Sequence, residues 1–365
     1  MFPTDYSDIL QRIEQIDPIR YAKTRNFHDG AVTKLSPYIS RGVISTRQVF
    51  DHILSLKLSW DATEKLVQEL AWRDYWQQAW IGKGKAIFED LRRPQEPVSN
   101  YKIPSSIING TTKIEAVDNA IQELYESGYM HNHMRMYVAA IACNMGESHW
   151  NIPSQWMYAH LLDGDLASNT LSWQWVAGSN ANKKYYANQD NINKFFNSDQ
   201  RDTFLDVGYE KFGQLEIPEE LVALSSFELQ IALPEFIDIQ INRDKTTLIY
   251  NYYNLDPNWH KDEDVQRIFL LEPSIFERFP ISQKCIDFAL KLSENIPGIQ
   301  LFVGEFEELK TKVETEKIIY KEHPLNNYEG IEESRDWLVP EVTGYFTSFF
   351  GYWKKAKKVL VRERS

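Results

Sequence analysis

At 365 residues the chain can bury a substantial core, and its length allows one large domain or two ordinary ones, of which two is our reading. Its only cysteines, Cys143 and Cys285, lie far apart without metal-like spacing, which argues against a disulfide framework and makes the cytoplasm the expected compartment. The net charge of −12 is uneven: residues 1–200 carry 20 Lys+Arg against 22 Asp+Glu and the remainder 20 against 30, so the total does not exclude a nucleic-acid partner. Asp5 and Asp8 stand where a secretory signal would need positive charge, and no apolar run is long enough to span a bilayer, so no membrane partner is expected.

Up to about residue 200 the apolar residues recur at helical spacing. Ser36-Pro37 reads as an N-cap followed by proline at the first helical position, and Ser45-Thr-Arg-Gln48 as a capping box. Further helices are expected over 62–81, 114–127, 131–145, 153–162 and 165–176. A stretch rich in Glu, Leu and Pro, 201–243, reads as a linker lying over the surface of one domain. Beyond it, 246–253, 265–271, 299–303 and 317–320 read as short buried strands, with helical periodicity over 282–294 and 307–313. The expected fold is mainly α: a helical domain over 1–200, the linker, and a small α/β domain over 244–365 that ends in a basic helix.

The chemistry concentrates in Tyr129-Met-His-Asn-His-Met-Arg-Met136, in Trp150, and in the segment from Asp163 to Trp175. Read on its own, this sets Asn132, Arg135 and Met136 on one helix, then two carboxylates two residues apart, then an amide and two indoles. An Arg and an Asp paired in a core make a strong structural device, because Arg stays ionised and binds carboxylate in bidentate fashion. Asp163 and Asp165 have no His or third carboxylate at a ligand spacing, so no metal is expected.

These blocks, with Thr33-Lys-Leu-Ser-Pro-Tyr38, Ser45-Thr-Arg-Gln48 and Gln68-Glu-Leu-Ala-Trp-Arg-Asp-Tyr75, run in order between Tyr21 and about Tyr186. Together they resemble the FAD-binding domain of the DNA photolyase and cryptochrome family. The resemblance implies a non-covalently bound FAD. Tyr21, Thr33, Lys34, Leu35 and Ser36 would belong to its site, the hydroxyls of Thr33 and Ser36 meeting the phosphates; on the residues alone, Ser36-Pro37 is equally an ordinary helix cap. Arg135 and Asp163 match an ion pair beside the isoalloxazine, Asp165 a neighbouring carboxylate, and Asn169 the amide that faces flavin N5. Trp150 and Trp173 match two members of the indole chain that re-reduces photoexcited flavin. A third indole has no counterpart, since 92–112 holds no Trp; photoreduction would then use Tyr101 or another Trp, or be weak.

Glu69, Trp72, Asn132 and Met136 resemble the cavity that receives a flipped cyclobutane pyrimidine dimer. Among residues expected on DNA, which include Trp175, Arg73 fits the family pattern, whereas His133 stands where this type of photolyase usually has Arg and Asn188 or a neighbour replaces another Arg, losses for which Lys183 and Lys184 could compensate. Lys194 and Lys354-Lys-Ala-Lys-Lys358, with Arg362 and Arg364, could replace lost phosphate cations, although such a run is more often a solvated helix face. The implied function is light-driven repair of pyrimidine dimers in DNA. The alternative is a cryptochrome-like photoreceptor whose acidic C-terminal segment meets a protein partner. The family usually places an α/β domain first; here the α/β-like segment follows the FAD region, which suggests a rearranged order.

Overall fold

The computed structural model describes residues 2–235 and 239–364. The three residues between these ranges fall in the segment expected as a linker and lie outside the described residues. The chain is mainly helical, with a helical region over the first two hundred residues and a parallel five-stranded sheet near the C-terminus. It forms two compact units, one from Met1–Ile16, Thr33–Tyr75 and Leu229–Ser365, the other from Asp17–Val32 and Trp76–Glu228. The helix Trp60–Lys83 contributes to both.

In the second unit, Glu115–Ser127 ends at Gly128 and Leu166–Ala177 at Gly178, with φ of 71° and 87°, where a side chain on the left-handed residue would be strained. The helix expected over 131–145 is α-helical only through Asn132–Ala140 and widens to a π turn at Ile141–Met145. Such widened turns cluster near functional sites. Helix Asn151–His160 follows, with Pro153 in its first turn, where its missing N–H costs nothing. Val117, Ile121, Tyr137, Trp150, Trp156 and Trp173 fill the core of this unit.

In the first unit, Ser45 Oγ accepts from Gln48 N at 3.0 Å and caps Thr46–Ser55 as the motif requires. The Ser36-Pro37 cap takes a different form. Leu35 holds the cap position without a side-chain hydrogen bond, Ser36 is already helical, and the helix stops at Ser40. Lys34, at φ 53°, turns the chain one residue earlier than the serine signal implies.

The sheet comprises β1 (Thr247–Tyr250), β2 (Gln266–Leu271), β3 (Ile299–Val303), β4 (Ile318–Lys321) and β5 (Ile331–Glu333), all parallel and ordered β3-β2-β1-β4-β5. The order reverses between β1 and β4, the point where open α/β sheets commonly receive ligands beyond the strand ends. Here that point is packed with protein. The Arg41 guanidinium lies 3.5 Å from the Tyr252 ring centroid, Tyr253 stacks on His323 at 4.2 Å, and Asn251 Nδ2 donates to Asn326 Oδ1 at 2.9 Å. A Cβ on Gly42 would meet the Tyr253 carbonyl oxygen at 2.4 Å, so the approach of 38–44 to this loop needs glycine.

Candidate functional site

Two sets of candidate residues emerge, one in each unit. In the second unit the turn before Leu166–Ala177 is fixed from three sides. Arg135 Nη2 donates to both oxygens of Asp163 at 3.0 Å, and its Nε donates to the Met130 carbonyl at 2.9 Å. The Asp163 side chain is 5 % exposed, so its charge depends on this partner. Asp165 caps the helix by accepting from Ser168 N at 2.8 Å and from Ser168 Oγ, while its other oxygen accepts from Gln77 Nε2 at 2.6 Å. One turn on, Asn169 Nδ2 donates to the Ser154 carbonyl at 2.9 Å, which fixes the plane of the amide and leaves its oxygen and second N–H pointing elsewhere.

Trp150 and Trp173 are both buried. Trp150 Nε1 donates to Asp90 Oδ1 at 2.7 Å, and Gln95 Oε1 accepts from the Trp150 backbone N–H. A short bridge between Asn100 and Ser148 lays the following residues together: His149 stacks on Tyr101 at 5.0 Å and 27°, and lies 5.4 Å from Trp150. Tyr101 is 70 % exposed, so an aromatic path leads from the buried indole to solvent. Asp90, Gln95 and His149 carry no local sequence signal, because their relation to Trp150 is made by tertiary folding.

Met136 packs against the core and Asn132 is exposed at the start of its helix. His133 Nδ1 is 3.1 Å from the Asn26 carbonyl, and its ring packs on Phe195 and Tyr137, each at 4.7 Å. Burial pushes its pKa below the ordinary histidine value, which favours the neutral imidazole. Trp175 is 39 % exposed beside Tyr185, Lys183 is exposed, and Lys184 is half-buried against Gly178. Tyr21 sits half-buried on Pro18–Thr24.

In the first unit, Thr33 Oγ1 accepts from Leu35 N at 3.4 Å. The left-handed Lys34 precedes Leu35 at φ −90° and ψ −13°. A left-handed residue followed by a right-handed one turns successive N–H groups to one side, the form of an anion cradle. Glu69, Trp72 and Arg73 share a face of Trp60–Lys83 through their spacing of three and four. Arg73 Nη2 donates to Ser40 Oγ at 2.7 Å and to the Ser36 carbonyl at 3.3 Å, bracing the cradle from below. Trp72 stacks face to face on Phe349 at 3.7 Å and 7°, a contact sequence reading does not anticipate across that separation.

Among the described residues no group of His, Cys, Asp and Glu is arranged to hold a metal, and no helix is long and apolar enough to cross a membrane.

Residues 66–206 match the family model for the FAD binding domain of DNA photolyase. A deoxyribodipyrimidine photo-lyase from Alkalihalophilus pseudofirmus is 29% identical over 167 residues, 43% of this chain and 34% of that protein. One from Synechococcus is 32% identical over 179 residues, 45% of this chain and 36% of its own length. A cryptochrome DASH from Solanum lycopersicum is 30% identical over 167 residues, 43% of this chain and 29% of that protein. The chain thus spans roughly a third of the length of these relatives. A Synechocystis cryptochrome structure aligns with 53% of this chain and 44% of its own at a TM-score of 0.48 and 24% identity.

Proposed function

For a chain that belongs to the DNA photolyase/cryptochrome family through its FAD-binding domain, with homology over only part of its length, we propose light-driven repair of cyclobutane pyrimidine dimers in DNA. The observation that carries this reading is the Arg135–Asp163 pair, its carboxylate buried, next to the Asp165-capped helix that orients Asn169. Bound FAD, once reduced and excited, would supply the electron that opens the dimer.

The chain's own residues fit that cofactor. The Lys34–Leu35 turn has the form of an anion cradle, in keeping with roles for Thr33 and Ser36 at phosphate, where the long Leu35 N–H to Thr33 Oγ1 contact would give way to the ligand. Arg135 brings positive charge held in place by Asp163, and the Asn169 amide presents both an acceptor and a donor, so it can meet a ring nitrogen with or without its proton. Trp173 and Trp150 relay electrons inward, with Tyr101 as the outer donor. Glu69 would accept from the polar edge of the lesion and Trp72 would contribute its indole, and the family resemblance assigns Asn132 and Met136 to the same substrate. Trp72 itself is held by face-to-face stacking on Phe349 and an edge contact with Tyr75.

The second reading is a cryptochrome-like photoreceptor without repair, its acidic C-terminal segment meeting a protein partner. The neutral His133 favours it, because a phosphate cation expected of a repair enzyme is missing. The test is a blue-light assay with reductant on single-stranded and duplex oligonucleotides carrying one cyclobutane dimer. Light-dependent loss of the dimer is expected. Bound FAD without repair of either form would overturn the first reading in favour of the second.

A further inference from the structure

The helix Phe349–Arg362 divides cleanly into two faces. Phe349, Tyr352, Trp353, Ala356 and Leu360 are buried, and the charges on the packed side are matched: Lys357 Nζ lies 2.5 Å from Glu64 and Glu363 lies 2.7 Å from Arg47. The outward face differs. Phe350, 69 % exposed, is followed at steps of four by Lys354, Lys358 and Arg362, all exposed, with Lys355 alongside. Among the described residues these four cations make no ion pair; Lys355 Nζ sits 4.9 Å over the Phe346 ring. The steps correspond to about 6 Å along the helix axis. Such a concentration of unmatched positive charge stands against residues 201–365, where acids exceed bases by 30 to 20.

The place of this row is as informative as its charge. Phe349, the residue before Phe350, stacks on Trp72. The outward row therefore starts, at Phe350, one residue along from the ring that stacks on the indole the repair reading assigns to the lesion. We propose that the outward face of Phe349–Arg362 is a rail for single-stranded nucleic acid, its cations following the phosphates and Phe350 taking an unstacked base. The inference rests on the repair reading for the identity of the strand and extends it by placing phosphate affinity on this helix rather than at His133. Phosphate neutralisation supplies affinity independent of sequence, and an exposed ring stacks on any base. An anionic membrane fits less well: an interfacial helix needs an apolar face to insert, and here that face is already buried in the protein.

The experiment uses the full chain in the dark, with a fluorescent, undamaged single-stranded oligonucleotide titrated by anisotropy at 50 to 200 mM salt, conditions over which phosphate-driven binding changes steeply. Wild-type binding should weaken with salt, each phosphate contact adding about 0.7 to the log–log slope. Lys354→Glu/Lys358→Glu/Arg362→Glu should lower affinity at least about tenfold and flatten the slope by about two. Phe350→Ala should weaken binding without altering the slope. Lys354→Gln/Lys355→Gln/Lys358→Gln, checked by circular dichroism, gives the same test with less repulsion should the first variant fail to fold. Unchanged affinity and slope in a folded variant would overturn the rail, as would wild-type binding to phosphatidylserine vesicles and not to the oligonucleotide. No light, flavin or lesion enters this measurement, so failed repair with intact rail binding would count against the repair reading alone.

Discussion

A guanidinium held by a carboxylate on one side and a main-chain carbonyl on the other has little freedom left, and Arg135 is held in this way by Asp163 and Met130. The residue types of this pair are legible in the sequence because Arg and Asp are costly to bury except together. What surrounds them is not. Gln77 reaches Asp165 and Asp90 reaches Trp150 across 88 and 60 positions, and no periodicity marks either contact. Under the proposed function, Tyr101 is the residue where such placement matters most for photoreduction. A phenol loses its proton when it gives up an electron, and Tyr101 is exposed enough to release that proton to water. Tyr101→Phe removes the phenol while keeping the ring on His149. Blue-light reduction of the bound flavin by an external electron donor in thiol-free buffer should then slow several-fold, with FAD content unchanged. Equal reduction rates in variant and wild type, followed by absorbance, would remove Tyr101 from the path.

At the level of elements, periodicity located most helices and four strands to within a few residues, since their buried faces are apolar at the right spacing. β5 was not legible: Ile331-Glu-Glu333 is a short edge strand exposed enough to need no apolar face. The five-residue helix at Ser36 and the π turn at Ile141–Met145 depend on backbone geometry that side-chain pattern does not encode. The tie between Trp60–Lys83 and the C-terminal segment was equally hidden. Buried Asp74 accepts from Thr46 Oγ1 at 2.9 Å and from Leu338 N at 2.7 Å. Burial raises its pKa from 3.8 to about 6, against the lowering effect of those two donors. Below its unfolded pKa the group is neutral in both states; as pH climbs to the folded value the unfolded chain ionises first, and stability is lost. A shift of this size corresponds to about 2 to 3 kcal/mol. Denaturant titrations from pH 4 to 7 should therefore show wild type losing that much relative to Asp74→Asn. Parallel curves for the two proteins would mean that Asp74 ionises normally.

For the molecule as a whole, the question is which stretches of chain fold together. Sequence composition suggests a boundary near residue 200, where helical periodicity gives way to strands. Packing groups the chain by another principle, because elements distant in sequence share the first unit. Tyr6 N donates to Asn295 Oδ1 at 2.8 Å, Tyr38 lies 6.0 Å from Phe288, Trp60 stacks near Trp353 at 6.3 Å, and Arg41 covers Tyr252. These contacts bury aromatic surface that 1–16 and 33–75 would expose if the C-terminal segment were removed, and large apolar patches on an isolated chain favour aggregation. A fragment of residues 1–200, cut where composition changes, should thus lack a folded partner for Tyr38, Arg41, Trp60 and Trp72, although it retains every residue assigned to FAD. We expect it to be insoluble or to melt without a cooperative transition, whereas the full chain unfolds cooperatively. Calorimetry on the fragment decides the matter: a sharp transition with retained flavin would mean that the helical region folds by itself, and that the sheet is an appendage to it.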